Sequence, residues 1–156
     1  MKLRIFTLSL IGLVAGLIPA AVNAETPGRH PAYLHARSDL RAAQFLLRVH
    51  EEPNVTRHLV EADHEVEAAI REIDRAAVLD RKDLDDRPNV GTNMDRLGRF
   101  RKTVELLRSA RADLGREEDN GRARGWRDDA YQHIDHALEN MHRASVVLKW
   151  DRELGF

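Results

Sequence analysis

The sequence predicts an all-α protein, an up-down-up-down bundle of four antiparallel helices that follows a cleaved signal peptide. The chain has no proline between residues 54 and 87 or after Pro88, and it is rich in the residues that favour helices. Its apolar residues recur every three or four positions, and no segment alternates apolar and polar residues as a half-buried strand would. The short connections between the predicted helices favour antiparallel neighbours.

The first 24 residues have the features of a secretory signal peptide. Lys2 and Arg4 give a positive start, residues 5–18 are apolar, Pro19 ends this run, and Ala24 precedes a cleavage junction. The apolar run is shorter than the roughly 20 residues that a membrane-spanning helix needs, although an uncleaved N-terminal anchor is an alternative. We expect residues 25–156 to form one domain in the periplasm or outside the cell, with a formal charge of −3 in place of −1.

The composition excludes several classes of protein. The chain contains no cysteine, so disulfides, thiolate metal sites, a cysteine nucleophile and a lipoprotein anchor are absent. A weakly acidic exported chain lacks the positive charge that nucleic acid requires. There is no Gly-x-Ser-x-Gly element, no phosphate-binding glycine loop and no paired acid and base, and we therefore expect no enzymatic activity.

The first two helices are defined by proline and by apolar spacing. The first is predicted to begin at Pro31, because proline suits the first position of a helix, and to end before Glu51. Its buried stripe comprises Tyr33, Ala36, Leu40, Ala43 and Leu47. The second helix is predicted over about 55–79. Its buried face comprises Leu59, Ala62, Val66, Ile70, Ile73 and Ala77.

The third and fourth helices follow polar connections. After the loop at 80–92, Thr92 and Asp95 resemble a capping box that starts the third helix, within which Gly98 costs about 1 kcal/mol unless a neighbouring helix passes close. Its inward residues are Met94, Leu97, Val104, Leu107, Ala110 and Leu114. The fourth helix is predicted over about 122–152. Its buried residues are Trp126, Ala130, Ile134, Ala137, Met141, Ala144 and Leu148.

The predicted apolar stripes are narrow and rich in alanine, which lets helices approach closely but leaves a thin core. Three apolar residues, Leu34, Phe45 and Leu46, fall off the stripe of the first helix. These residues are candidates for a homodimer contact or for contact with a protein partner.

Histidine is the compositional feature that carries chemical meaning. The mature chain has eight, spread over three of the four predicted helices: His30, His35, His50, His58, His64, His133, His136 and His142. On the fourth helix, Asp129, His133, His136 and Asn140 follow at spacings of four, three and four residues and therefore share one flank. Imidazole and carboxylate groups suit Zn(II), Cu(II) and Ni(II), so this flank is part of a candidate metal site.

A metal site here needs a ligand from another helix. In the predicted bundle, His50, or His35 with Asp39, comes level with the fourth helix. The candidate metal ligands are therefore His30, His35, Asp39, Asp129, His133 and His136. The alternative is that they are polar residues at helix edges, which form hydrogen bonds and contact solvent.

Three further interpretations of the sequence concern haem, pH and calcium. Haem held between His35 and Met141 fits a four-helix bundle, although methionine at helical spacing usually fills a core. Histidines that titrate near pH 6.5 would make the protein an acid-responsive binder. The acidic loop from Asp80 to Asp86 is rejected as an EF-hand, since Pro88 stands where that motif requires glycine and Met94 where it requires the final glutamate.

The mature chain also resembles a family of small exported bacterial all-helical proteins from His30 to about Leu148. The resemblance is carried by the motif HPxYLHAxxDLR at 30–41, by EEDN at 117–120 and by HID at 133–135, followed by Ala137. It implies that His30, His35, Asp39 and His133 belong to a shared pattern, and it names no activity. The turn before the second helix departs from the pattern, and the loop at 80–89 matches it only approximately.

The function expected from the sequence is that of an exported helical bundle that binds another protein in a structural or stress-related role. The second hypothesis is binding or sensing of a transition metal or haem through histidines of the first and fourth helices. No membrane span is expected in the mature chain.

Overall fold

The computed structural model describes residues 31–79, 90–91, 93–116 and 123–156, which contain four α-helices and no strand. They are α1 (Pro31–Leu47), α2 (Pro53–Leu79), α3 (Arg96–Leu114) and α4 (Arg124–Leu148). The all-α four-helix bundle is confirmed. The predicted signal peptide at 1–24 and the candidate ligand His30 lie outside the described residues. Within those residues, no helix is long and apolar enough to cross a membrane.

The helix starts follow from local chemistry. Pro31 and Pro53 occupy first helical positions, where the missing N–H has no intrahelical partner. At α3, the Asp95 side chain accepts a hydrogen bond of 2.8 Å from the Gly98 N–H, so Asp95 is itself the N-cap. The predicted capping box, in which Thr92 starts the helix and Asp95 lies three positions inside it, is therefore wrong. Thr92 itself is not among the described residues. A Cβ added at Gly98 would lie 2.5 Å from this Asp95 oxygen, so the cap, and no neighbouring helix, explains this glycine.

The end of α4 lies earlier than the sequence suggests. Lys149 adopts a left-handed conformation with φ of 61°, and the Trp150 N–H donates to the Ser145 carbonyl at 2.8 Å. These features are typical of a helix C-terminus whose last carbonyl groups accept hydrogen bonds from the backbone N–H groups that follow. The chain then turns across the bundle, where Trp150 packs edge-on against Phe100 and Leu154 is buried.

The helices form a ring in the order α1, α2, α4, α3. The contacts between α2 and α4 are the most extensive, whereas, in the described part of the chain, α1 and α4 have no Cα atoms within 8 Å of each other, and neither do α2 and α3. Arg37 pairs with Asp74, and Arg48 pairs with Asp63. Because the earlier residue of α1 meets the later residue of α2, these two helices are antiparallel.

The start of α3 lies at the end of α1. Arg99 donates to Glu51 at 3.0 Å, and Arg96 pairs with Glu52 while its guanidinium lies over the Trp150 ring. The pKa of the Glu52 carboxyl is lowered, most by a hydrogen bond from the backbone of Glu52 and next by the hydrogen bond from Arg96. These contacts make α3 antiparallel to α1 and therefore parallel to α2.

Adjacent helices are antiparallel all round the ring, as predicted, but the up-down-up-down order along the chain is wrong. The order is up-down-down-up, and the 16 residues between Leu79 and Arg96 join opposite ends of the bundle. Sixteen residues reach up to about 50 Å, and the 19 residues of α3 span about 28 Å. The connection is thus long enough for a crossover, which the sequence prediction treated as a return loop.

Alanines line the contact between α2 and α4, and we call them the alanine seam. They recur every seven residues on both helices and are fully buried: Ala62, Ala69, Ala76, Ala130, Ala137 and Ala144. Small side chains at a seven-residue repeat let two helices approach closely along their length. The seam therefore brings the polar residues at its edge within contact distance across the two helices.

The predicted stripes of α1, α2 and α4 are buried or partly buried wherever their side chains are described. Leu46 was expected to fall off the stripe of α1, but it is buried. It lines a small cavity together with Phe100 and Thr103 of α3. It cannot contribute to a dimer surface. Phe45 is exposed and Leu34 is half-buried, so a contact through these two residues remains a prediction.

Candidate metal site

Three side chains beside the alanine seam form a compact group of candidate metal ligands. They are Glu65 of α2 and His133 and His136 of α4. One ligand atom from each lies within 4.8 Å of the other two. His133 and His136 share a flank because they are three residues apart on one helix. Glu65 reaches them because the seam brings α2 close to α4.

The distances describe a group held by direct contact. The Nδ1 atom of His133 lies 2.7 Å from Glu65 Oε2, and the Nδ1 atom of His136 lies 3.7 Å from the same oxygen. His133 and Glu65 are partly buried, whereas the His136 side chain is 65% exposed. One side of the group is therefore open to solvent and the other rests on the bundle.

This donor set is chemically suited to a borderline divalent ion. Two imidazoles and one carboxylate are ligands that Zn(II), Cu(II) and Ni(II) accept. A zinc ion bonds such atoms at about 2.0–2.2 Å. Two ligands of one ion therefore lie no more than about 4.4 Å apart. An ion held by all three residues would replace the direct contact between His133 and Glu65, whose atoms lie 2.7 Å apart, and would draw in the exposed His136 ring. Three protein ligands leave a fourth tetrahedral position for water or a small ligand.

The structure brings together His133 and His136 among the residues singled out from the sequence. Asp129 is exposed one turn before His133 and is not part of the group. His35 and Asp39 lie on α1, which stands diagonally across the ring from α4. The expectation that α1 faces α4 is wrong, because α2 and α3 occupy the positions between them.

The same diagonal separates the residues considered for haem. His35 is exposed on α1, whereas Met141 is buried in the core on α4. The two side chains thus lie in different environments, on helices that have no Cα atoms within 8 Å of each other in the described part of the bundle. Met141 lines the internal cavity shared with Leu46, so its packing accounts for its position.

Glu65 was missed by the sequence analysis, which searched the first helix for the additional ligand. A signal was nevertheless present. Alanine recurs every seven residues in the second and the fourth predicted helices, and this match favours pairing them. Glu65 immediately precedes the buried Val66, at the edge of the stripe that this pairing would cover.

Comparison of the chain with protein-family models, with curated proteins and with solved structures finds no match.

Proposed function

We propose that this chain is an exported helical bundle that binds a transition-metal ion, with Glu65, His133 and His136 as ligands. The observation that supports the proposal best is the grouping of two imidazole nitrogens and a carboxylate oxygen within 4.8 Å, on two different helices. The proposed role is binding without catalysis.

The location of the group favours an exchangeable ion. His136 is largely exposed, and a fourth coordination position would face solvent. A site that holds an ion for structure is usually closed by four protein ligands. The proposed role is therefore that of a carrier or sensor that takes up an ion and releases it.

The first experiment measures Zn²⁺ and Cu²⁺ binding to the untagged protein by titration calorimetry. We expect at least one ion per chain in the wild type. Loss of a group that merely supports a ligand costs about 10- to 100-fold in metal affinity, so His133→Ala should weaken binding at this site by at least about 100-fold. Glu65→Gln, which keeps the shape of the side chain, should weaken binding in the same direction.

Two matched variants serve as controls. Glu67→Gln removes an exposed carboxylate of α2 that pairs with Arg71, and His35→Ala removes an imidazole of α1. Neither should change the affinity. Absence of binding and of thermal stabilisation by either ion, or equal affinity in His133→Ala and wild type, would overturn the proposal.

We also propose that residues 1–24 direct export and are removed. The proposal is supported by the positive start, the apolar run and the small residue before Glu25. Intact-mass analysis of protein from the periplasmic fraction should give a chain that begins at Glu25. An uncleaved chain in the membrane fraction would contradict removal, and Lys2→Glu with Arg4→Glu should reduce export.

A protein partner is the competing proposal. It is supported by apolar side chains that remain exposed on the bundle, among them Phe45 and Val60. Such residues are also common on proteins that bind nothing through them. If the protein binds neither metal ion and a Phe45→Ser variant loses a partner that co-purifies with the wild type, this proposal replaces metal binding.

A further inference from the structure

Of the three buried side-chain polar atoms that lack a hydrogen-bond partner in the described structure, two belong to α2 and α4, the helices that carry the metal ligands. They are Nδ1 of His58 on α2 and Oδ1 of Asn140 on α4. Asn140 is only 9% exposed, and its amide nitrogen donates to the His136 carbonyl at 3.2 Å. A buried polar atom without a partner has lost its hydrogen bonds to water and gained none in return, so such atoms point to a missing ligand.

The register of the two helices brings these residues to the same level along α2 and α4. Glu65 contacts His133. In an antiparallel pair, a step of seven residues back along α2 and seven residues forward along α4 leads to His58 and Asn140. Seven residues are close to two helical turns, so the step keeps both residues on their flanks and moves about 10 Å along the seam. Leu59 and Met141, the next residue on each helix, line one common cavity, which supports this register.

A third donor lies beside His58. Oε2 of Glu61 is 3.4 Å from Nδ1 of His58. The lone pair of a neutral imidazole nitrogen, an amide oxygen and a carboxylate oxygen are all electron-pair donors. A cation would satisfy all three at once, and this mixture of nitrogen and oxygen donors suits a divalent ion such as Zn²⁺.

We propose that His58, Glu61 and Asn140 form a second cation subsite, about two helical turns from Glu65 and His133 along the seam between α2 and α4. The proposal deepens the metal-binding function and rests on it, since the protein would then carry two ions along one seam. The two subsites share no ligand, so each is tested by its own variants.

The experiment counts Zn²⁺ ions bound to the full-length, untagged protein by native mass spectrometry, with calorimetry for affinity. The wild type should bind two ions. Glu61→Gln changes an exposed side chain and leaves the core intact, and it should retain one ion, with affinity for the other reduced at least tenfold. Asn140→Ala should do the same. Glu65→Gln should also retain one ion, held at His58, and Glu67→Gln should retain both.

The outcomes separate the two proposals. One ion that is lost in Glu65→Gln and kept in Glu61→Gln overturns the second subsite and leaves the first. One ion with the opposite dependence overturns the ligand set built on Glu65 and supports the second subsite. If Zn²⁺ stoichiometry is unchanged in His58→Leu while the melting temperature rises, His58 and Asn140 are a packing defect and the second subsite is overturned. Absence of any bound ion overturns both.

Discussion

Replacing Asp74 with alanine is expected to destabilise the bundle by about 3 kcal/mol. Asp74 pairs with Arg37, whose side chain is only 3% exposed, whereas the carboxylate itself is 31% exposed. A guanidinium at this depth has lost most of its hydration, and the nearby carboxylate offsets that loss. Asp74→Ala removes one of the groups that compensate this buried charge, and breaking a buried ion pair in this way costs much more than the pair contributes relative to apolar residues.

The control lies at the other end of the same helix pair. Asp63 pairs with Arg48, whose side chain is 58% exposed, and exposed ion pairs contribute about 1 kcal/mol or less. Urea unfolding followed by circular dichroism should show a large loss for Asp74→Ala and a small one for Asp63→Ala. Equal losses would contradict the view that burial of Arg37 decides the effect. Arg37→Met combined with Asp74→Leu should recover much of the stability.

Enlarging the alanine seam is expected to affect both stability and metal binding. Ala137 is fully buried and lies between His133 and Met141 on the face of α4 that meets α2. In Ala137→Leu the added atoms must push the helices apart, and overpacking of this kind costs about 1–3 kcal/mol. Because the separation of α2 and α4 determines the distance from Glu65 to His133, Zn²⁺ affinity should fall at least tenfold as well.

Ala112→Leu is the matched control, because Ala112 is exposed on α3 and the same enlargement there meets solvent. Its stability and Zn²⁺ affinity should stay close to wild type. If Ala137→Leu kept both the wild-type free energy of unfolding and the wild-type affinity, the seam would not hold the two helices at a fixed separation. Loss of stability with unchanged affinity would separate the packing from the metal site.

Much of the fold follows from local patterns in the sequence. Burial of Tyr33, Leu40 and Leu47 along one stripe is an outcome of the 3.6-residue period, which acts within a single helix. The shared flank of His133 and His136 has the same origin. The errors occur where contacts are non-local. Leu46 was misplaced because its burial depends on where α3 packs, and Glu65 was missed because its partners are 68 residues away or more.

The sequence by itself determined four helices, most of their bounds, their buried faces and two of the three ligands of the candidate metal site. The tertiary structure decided that α2 lies beside α4, that α3 runs parallel to α2, and that Glu65 therefore faces the fourth helix. Local hydrogen bonds and apolar periodicity act over a few helical turns, so the residues responsible for them can be recognised in the sequence. The pairing of helices depends on packing summed along whole seams, and the 16-residue connection before α3 is long enough to permit either direction.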